Sequence, residues 1–208
     1  MIKAVLFDVD GTLISLDIVV EAIQHVCKKR SLRVLTRDEI YAKIIGYPLS
    51  VGIRRVLPMS DGEVEAFDKD YIEHYAKYHV SHMLPHVRET IQTLKDRKIK
   101  IGIVTTKGRE TAAKTIKDLK ISHDVIITAD DVKHVKPDAE PALKACKTLG
   151  VKPEDAVMVG DHVFDVRCAR NAGCIAVGVT TGVSSREQLI NERADYVFDD
   201  IKSVLELV

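Results

Sequence analysis

The chain begins with an apolar run, Ile2-Lys3-Ala4-Val5-Leu6-Phe7, that stops at Asp8-Val9-Asp10-Gly11-Thr12. As a hydrophobic pattern this reads as a buried strand whose end sets a pair of carboxylates and a glycine turn at one edge of a sheet. Apolar stretches predict further strands at Lys100–Val104, Val125–Ile127, 156–159 and Ile175–Val179. Amphipathic helical patterns at 87–97, 109–119, Glu140–Leu149 and 165–172 precede and separate them. Strands alternating with helices imply right-handed crossovers and a parallel sheet. The expected fold class is an α/β, doubly wound, Rossmann-like core.

Residues 15–82 break that alternation. Ile18, Val19, Ala22, Ile23 and Val26 recur at helical spacing, as do Ile40, Ile44 and Ile45, and then Phe67, Tyr71, Tyr75 and Tyr78. Gly46-Tyr47-Pro48 and Leu57-Pro58 divide the run into pieces. The expectation is a small all-helical domain, residues 15–82, inserted after the first strand of a core made of residues 1–14 and 83–208. Hinges are expected at 13–16 and 83–85, where the chain leaves and rejoins that core. The tyrosine stripe is read as core packing in preference to a ligand wall.

At 208 residues and 46% hydrophobic, the chain can bury one core and a smaller appended domain. Lys+Arg and Asp+Glu both number 31, so there is no global field to gather nucleic acid or an anionic membrane surface. Any anion site must be local. No apolar stretch approaches the roughly 20 residues that span a bilayer, and the first residues read as a strand with acids and not as a signal peptide. A cytoplasmic protein, monomeric or weakly homodimeric, is expected. Cys27, Cys146, Cys168 and Cys174 form no C-x-x-C pair and sit in or beside apolar segments, as buried free thiols do.

Open parallel sheets bind ligands beyond the carboxyl ends of their strands. Here the first strand ends in Asp8 and Asp10, and the second in Thr105-Thr106-Lys107. The third leads on to Lys136-Pro137, and the fourth ends in Gly160-Asp161-His162 with Asp165 close behind. Each residue alone has a structural explanation. Asp10-Gly11 suits a turn, Thr105 or Asp161 a helix cap, Asp165 a first helical turn and Lys136 a solvated surface. Their occurrence in order along one edge is the stronger observation. Carboxylates about 5 Å apart repel by roughly 3 kcal/mol at an effective dielectric near 20, so acids converging on one lysine need a cation. Oxygen ligands without cysteine favour a hard ion such as Mg²⁺. Lys136, the Thr105 hydroxyl and backbone N–H groups at the helix start after Gly160 suit a phosphoryl group.

Taken together these motifs resemble those of the haloacid dehalogenase superfamily, and within it the phosphatases similar to phosphoglycolate phosphatase and β-phosphoglucomutase. Asp8-Val9-Asp10-Gly11-Thr12 matches the first family motif, Thr105 the second, Lys136-Pro137 the third, and Gly160-Asp161 with Asp165 the fourth. The resemblance spans essentially the whole chain, with residues 15–82 in the position of a helical cap. It departs at Thr106, where the family often has Asn, and at His162, where it often has Ser or Thr. The resemblance implies a phosphoric monoester hydrolase acting on a small phosphorylated metabolite through an aspartyl-phosphate on Asp8. Asp10 would then serve the leaving alcohol as acid and later as base. Mg²⁺ would be held by Asp8, Asp10 through its backbone carbonyl, Asp161 and Asp165. Thr105 and Lys136 would bind the transferring oxygens, Thr106 and Gly11 would border the substrate, and His162 would line the site without binding metal.

Residues 46–50, with Arg54 and Arg55, are the candidate reader of the substrate's other end, against the plainer alternative of arginines on a solvated face. The sequence does not separate hydrolase from mutase. A phosphoacceptor signalling domain, the reading from another class, has no need of Asp10 as a leaving-group acid, of the Gly160-Asp161 motif or of the helical insertion. A binding protein without turnover has no need of the full motif set. Dehalogenation is disfavoured because halide departure requires no acid at Asp10.

Overall fold

The computed structural model describes the backbone of residues 1–208 and every side chain except that of Ser81. Strand β1, Ala4–Phe7, is fully buried, as an apolar run must be when helices cover both faces of a parallel sheet. It pairs on one side with β2, Lys100–Val104, and on the other with β4, Ala156–Gly160. Strand β3, Val125–Ile127, lies outside β2; β5, Ile175–Val179, and β6, Tyr196–Phe198, lie outside β4. Among the described residues the sheet has six strands, all parallel, in the order β3-β2-β1-β4-β5-β6. The chain winds outward from β1 through β2 to β3 and then crosses to β4. Strand order therefore reverses at β1, and the crevice that such a reversal opens lies at the carboxyl ends of β1 and β4.

Side-chain alternation along β1 divides the interior. Ala4 and Leu6 face one hydrophobic cluster, which includes Met158, Val166 and Ala145. Val5 and Phe7 face another, which continues through Leu13, Ile18 and Ile40 to Phe67 and Tyr75. These last residues belong to the helices that follow β1: α1, Asp17–Lys29; α2, Arg37–Lys43; α3, Leu49–Arg54; and α4, Asp61–Tyr78. Caps fix their starts. Thr36 with Glu39, and Ser60 with Glu63, form reciprocal capping boxes at α2 and α4. A 3₁₀ turn, His79–His82, returns the chain to the sheet, where the outgoing and incoming segments pair. The Ser15 N–H donates to the His82 carbonyl at 2.8 Å, and the Leu84 N–H to the Leu13 carbonyl at 3.0 Å.

The crossover helices are α5, Val87–Asp96; α6, Arg109–Asp118; α7, Glu140–Leu149; and α8, Val163–Ala172. Helix α8 starts earlier than its periodicity predicts, because His162 and not Asp161 caps it: the Phe164 N–H donates to His162 Nδ1 at 3.1 Å. A short helix α9, Arg186–Asn191, strand β6 and a terminal 3₁₀ segment, Ile201–Leu207, complete the chain. Cys27, Cys146, Cys168 and Cys174 are buried free thiols. Among the described residues no helix is long and apolar enough to cross a membrane.

Candidate active site

Register places the first acid. Phe7 pairs with Val159 and Ile103, so Asp8 is the first residue beyond the β1 ladder, with its N–H donating to the Val159 carbonyl at 3.0 Å. The loop after it presses against Asp161. Gly11 adopts φ +80°, and a Cβ there would lie 2.3 Å from the Asp161 carboxyl carbon, so only glycine permits both the turn and the approach. The β5 loop closes in from another side, where the Val183 N–H donates to Asp161 Oδ2 at 2.9 Å. The Thr12 hydroxyl lies 3.4 Å from Asp161 Oδ1.

Lys136 is 4% exposed and lies between Asp8 Oδ1 at 2.9 Å and Asp165 Oδ1 at 2.6 Å, donating also to the Val104 carbonyl at 3.2 Å. Burial alone would push its ammonium toward the neutral form. The carboxylates of Asp165 and Asp8 outweigh that and hold it well above the usual lysine value. Asp165 Oδ2 accepts the His162 N–H at 3.0 Å. Burial, opposed by Lys136 and reinforced by Asp8, lifts the Asp165 carboxyl to about 6. Asp161 moves well above the usual carboxylate range, through burial first and then through Asp165 and Asp8. One carboxylate oxygen from each of Asp8, Asp161 and Asp165 lies within 4.8 Å of the others. A single lysine cannot neutralise these buried acids, and an all-oxygen donor set of this kind fits a hard divalent cation.

Asp10 stands apart from that cluster. Its Oδ1 accepts the Tyr75 hydroxyl at 3.1 Å, and its Oδ2 pairs with Lys107 Nζ at 2.8 Å. Lys107 Nζ also sits 3.9 Å from the centre of the Tyr75 ring. Burial, then the charge of Asp10, raises the Tyr75 phenol well above its usual value, so it remains a donor. The stripe on α4 is thus core and cavity wall together. Asp68, Tyr71 and Ile72 line the cavity, while Tyr75, one further turn along the same face, reaches Asp10. Phe67 is core, and Tyr78 is exposed.

The cavity, of about 230 Å³, lies between the strand ends and the helices that follow β1. Asp8, Asp10, Thr105, Thr106, Lys136, Asp161 and Asp165 all line it. Gly11 does not. Its N–H donates to the Ile14 carbonyl at 2.6 Å and its carbonyl accepts the Thr181 hydroxyl at 2.5 Å, so it shapes the loop and does not border the cavity. The Thr105 hydroxyl accepts the Lys107 N–H at 3.2 Å, and Gly108, not Thr105, caps α6. His162 lines the cavity as a neutral ring. Burial, then Lys136, lowers its imidazole to about 4. Gly46, at φ +90°, lets residues 46–50 rest on His162, since a Cβ there would lie 2.9 Å from Cε1. Those residues line the cavity, but Arg54 and Arg55 do not. Arg54 pairs with Asp61 at 2.6 Å, and Arg55 lies 4.4 Å above the Tyr47 ring.

Sequence reasoning missed Tyr75, Lys107 and Asp68 as site residues. Lys107 adjoins the threonine pair and was within reach of inspection. Tyr75 meets Asp10 across 65 positions of chain, and nothing local signals that contact.

Comparison with known proteins gives a consistent result. The sequence model of the haloacid dehalogenase-like hydrolases matches residues 5–179. The pyrophosphatase PpaX of Anoxybacillus flavithermus is 33% identical over 216 residues, covering 100% of this chain and 97% of its own. A hydrolase from Pseudomonas syringae superposes with a TM-score of 0.85 at 26% identity, covering 100% of this chain and 98% of its own. A predicted phosphoglycolate phosphatase from Haemophilus somnus shares the fold at a TM-score of 0.88 and 24% identity, covering 99% of this chain and 97% of its own.

Proposed function

This chain belongs to the haloacid dehalogenase-like hydrolases, and from that premise we propose that it is a Mg²⁺-dependent phosphatase of small phosphate monoesters, working through a covalent phosphate on Asp8. The observation that carries the reading is the division of labour among the acids. Asp8, Asp161 and Asp165 converge, whereas Asp10 is set apart with its own partners.

In the proposed reaction an Asp8 carboxylate oxygen attacks phosphorus and the bond from phosphorus to the leaving oxygen breaks, while Asp10 gives that oxygen a proton. Water then attacks the phosphorus of the aspartyl-phosphate, Asp10 accepts its proton, and Asp8 is released. Lys136, Thr105 and Thr106 bind the transferring oxygens. The carboxylates of Asp8, Asp161 and Asp165, with the Asp10 carbonyl, would hold Mg²⁺. Bound there, the ion neutralises the gathered carboxylates and the phosphoryl charge. Residues 15–82 act as a cap, turning on the paired segments 13–16 and 83–85 and shutting bulk water from the site.

A second reading, hydrolysis of inorganic pyrophosphate, is favoured by the named activity of the PpaX relative. A phosphate-release screen over small monoesters and pyrophosphate tests both. The expected result is turnover of monoesters that a chelator abolishes and added Mg²⁺ restores. Full activity in excess chelator, or release from pyrophosphate alone, overturns the proposal.

A further inference from the structure

Two polar links tie α4 to the layers of the sheet. One lies at the cavity, where Tyr75 donates to Asp10 at 3.1 Å and Lys107, just ahead of α6, pairs with Asp10 at 2.8 Å. The other lies one turn further along, at His79, a polar side chain with no exposed surface. Its N–H and its ring Nδ1 both reach the Tyr75 carbonyl, Nδ1 at 3.0 Å, and since a carbonyl accepts and cannot donate, Nδ1 carries the hydrogen. Nε2 is shut off from solvent without an aligned hydrogen bond and lies 3.4 Å from Asp118 Oδ2, on the last turn of α6. Lys114 pairs with the same oxygen at 2.9 Å. The backbone N–H alone would close α4, and an apolar side chain would fill the space without a buried nitrogen to match, so helix capping does not account for an imidazole here.

What the imidazole adds is a flat neighbour for Tyr75. The two rings lie within 6° of parallel with centres 5.3 Å apart, and Tyr71 stacks on Tyr75 at 5.6 Å and 29°. A phenolic hydrogen lies in the plane of its ring, so the plane of Tyr75 sets the direction in which it donates. We propose that His79, anchored by Asp118, is a positioning residue for Asp10: it holds the Tyr75 ring in the plane that aims its hydroxyl at the Asp10 carboxylate. The inference rests on the reading of Asp10 as the leaving-group acid. Asp118 belongs to a crossover helix of the sheet and His79 to the chain returning from α4, so the aim of Tyr75 depends on how α4 is seated against α6.

The test compares single-turnover rates of the first chemical step, as the ratio of an alkyl to an aryl phosphate, in the wild type, His79→Phe, Asp118→Asn and Tyr75→Phe. His79→Phe keeps a flat ring and removes both nitrogens, and Asp118→Asn keeps the shape and removes the charge. Each should lower the ratio about threefold with substrate affinity little changed, since a misdirected hydrogen bond loses part of what a deleted one loses. In a Tyr75→Phe background the same substitutions should leave the ratio within error, because the group they act through is gone. Should His79→Phe fail to fold, Asp118→Asn decides alone, its side chain being part-exposed. An unchanged ratio in Asp118→Asn, an unchanged ratio in Tyr75→Phe, or a loss that persists in the Tyr75→Phe background overturns the role of His79 and leaves the phosphatase reading standing. Equal losses on both esters in Asp10→Asn overturn the reading of Asp10 on which the inference rests.

Discussion

On the strand side of the cavity, Asp8, Lys136, Asp161 and Asp165 come from three segments of the chain, Asp165 from the first turn of α8, are buried, and are held by contacts as short as 2.6 Å. On the helical side, α4 and residues 46–50 contribute mostly carbon. The strand side has almost no spare room: a Cβ on Gly160 would lie 2.2 Å from Asp165, and one on Gly182 would fall on Asp161. On the function proposed above, that difference separates chemistry from choice of substrate. Charges that must converge need backbone walls to hold them, whereas an apolar wall keeps its packing through changes of similar volume.

The largest effects should therefore come from the strand side. Asp10→Asn keeps the side-chain shape and backbone carbonyl but removes the transferable proton. We predict a loss of about 10³-fold in kcat with alkyl phosphates and a much smaller one in the first chemical step with aryl phosphates, whose leaving groups need little protonation. Steady-state and single-turnover rates on the two ester types check it. Equal losses with both would mean that Asp10 is not the leaving-group acid.

Lys136→Met should leave buried carboxylates without their ammonium. Denaturation in the absence of divalent ions should show a loss on the order of 3–5 kcal/mol. A loss within error of zero would show that the acids do not depend on Lys136 in the folded state.

Tyr75→Phe joins the two sides, because this α4 residue donates to Asp10. Loss of one hydrogen bond to a charged group should lower kcat for alkyl phosphates about tenfold, with KM little changed and aryl phosphates less affected. A uniform loss on both ester types would assign Tyr75 to packing alone.

These contrasts also mark what was legible in the chain. Asp8, Asp10, Thr105 and Asp161 lie at or soon after strand ends, so strand periodicity suffices to gather them along one edge, whereas Lys136 comes from the longer loop after β3 and was placed by its motif. Tyr75 and Asp68 depend on how a whole helix is set against the sheet, which local pattern does not encode. Strand β6 has three residues, each at least partly exposed, and α9 spans six, too short for periodicity to mark either. The Ser185 and Gln188 capping box was the available signal for α9. His162 lines the cavity, as its place after Asp161 suggests, but its capping of α8 was not legible, because an imidazole capping a helix through Nδ1 is not among the usual cap patterns.

The smallest expected effect lies wholly in the helices. The His25 and His74 rings stack 4.1 Å apart between α1 and α4. Burial, then His25, lowers the His74 imidazole from its ordinary 6.5. A folded-state value below the unfolded one means that stability is fully present above about 6.5 and declines as pH falls through and below it. Thermal unfolding followed from neutral to mildly acidic pH should show a steeper decline for the wild type than for His74→Gln. Parallel curves would remove the pair from the pH response.

The most direct measurement is a rapid-quench trap with labelled aryl phosphate and Mg²⁺. Asp10→Asn should accumulate acid-stable label on Asp8, because its phosphorylation needs little acid help and its hydrolysis lacks a base. Asp8→Asn should carry none. Label persisting on Asp8→Asn would contradict the assignment of the nucleophile, and with it the chemistry proposed for this site.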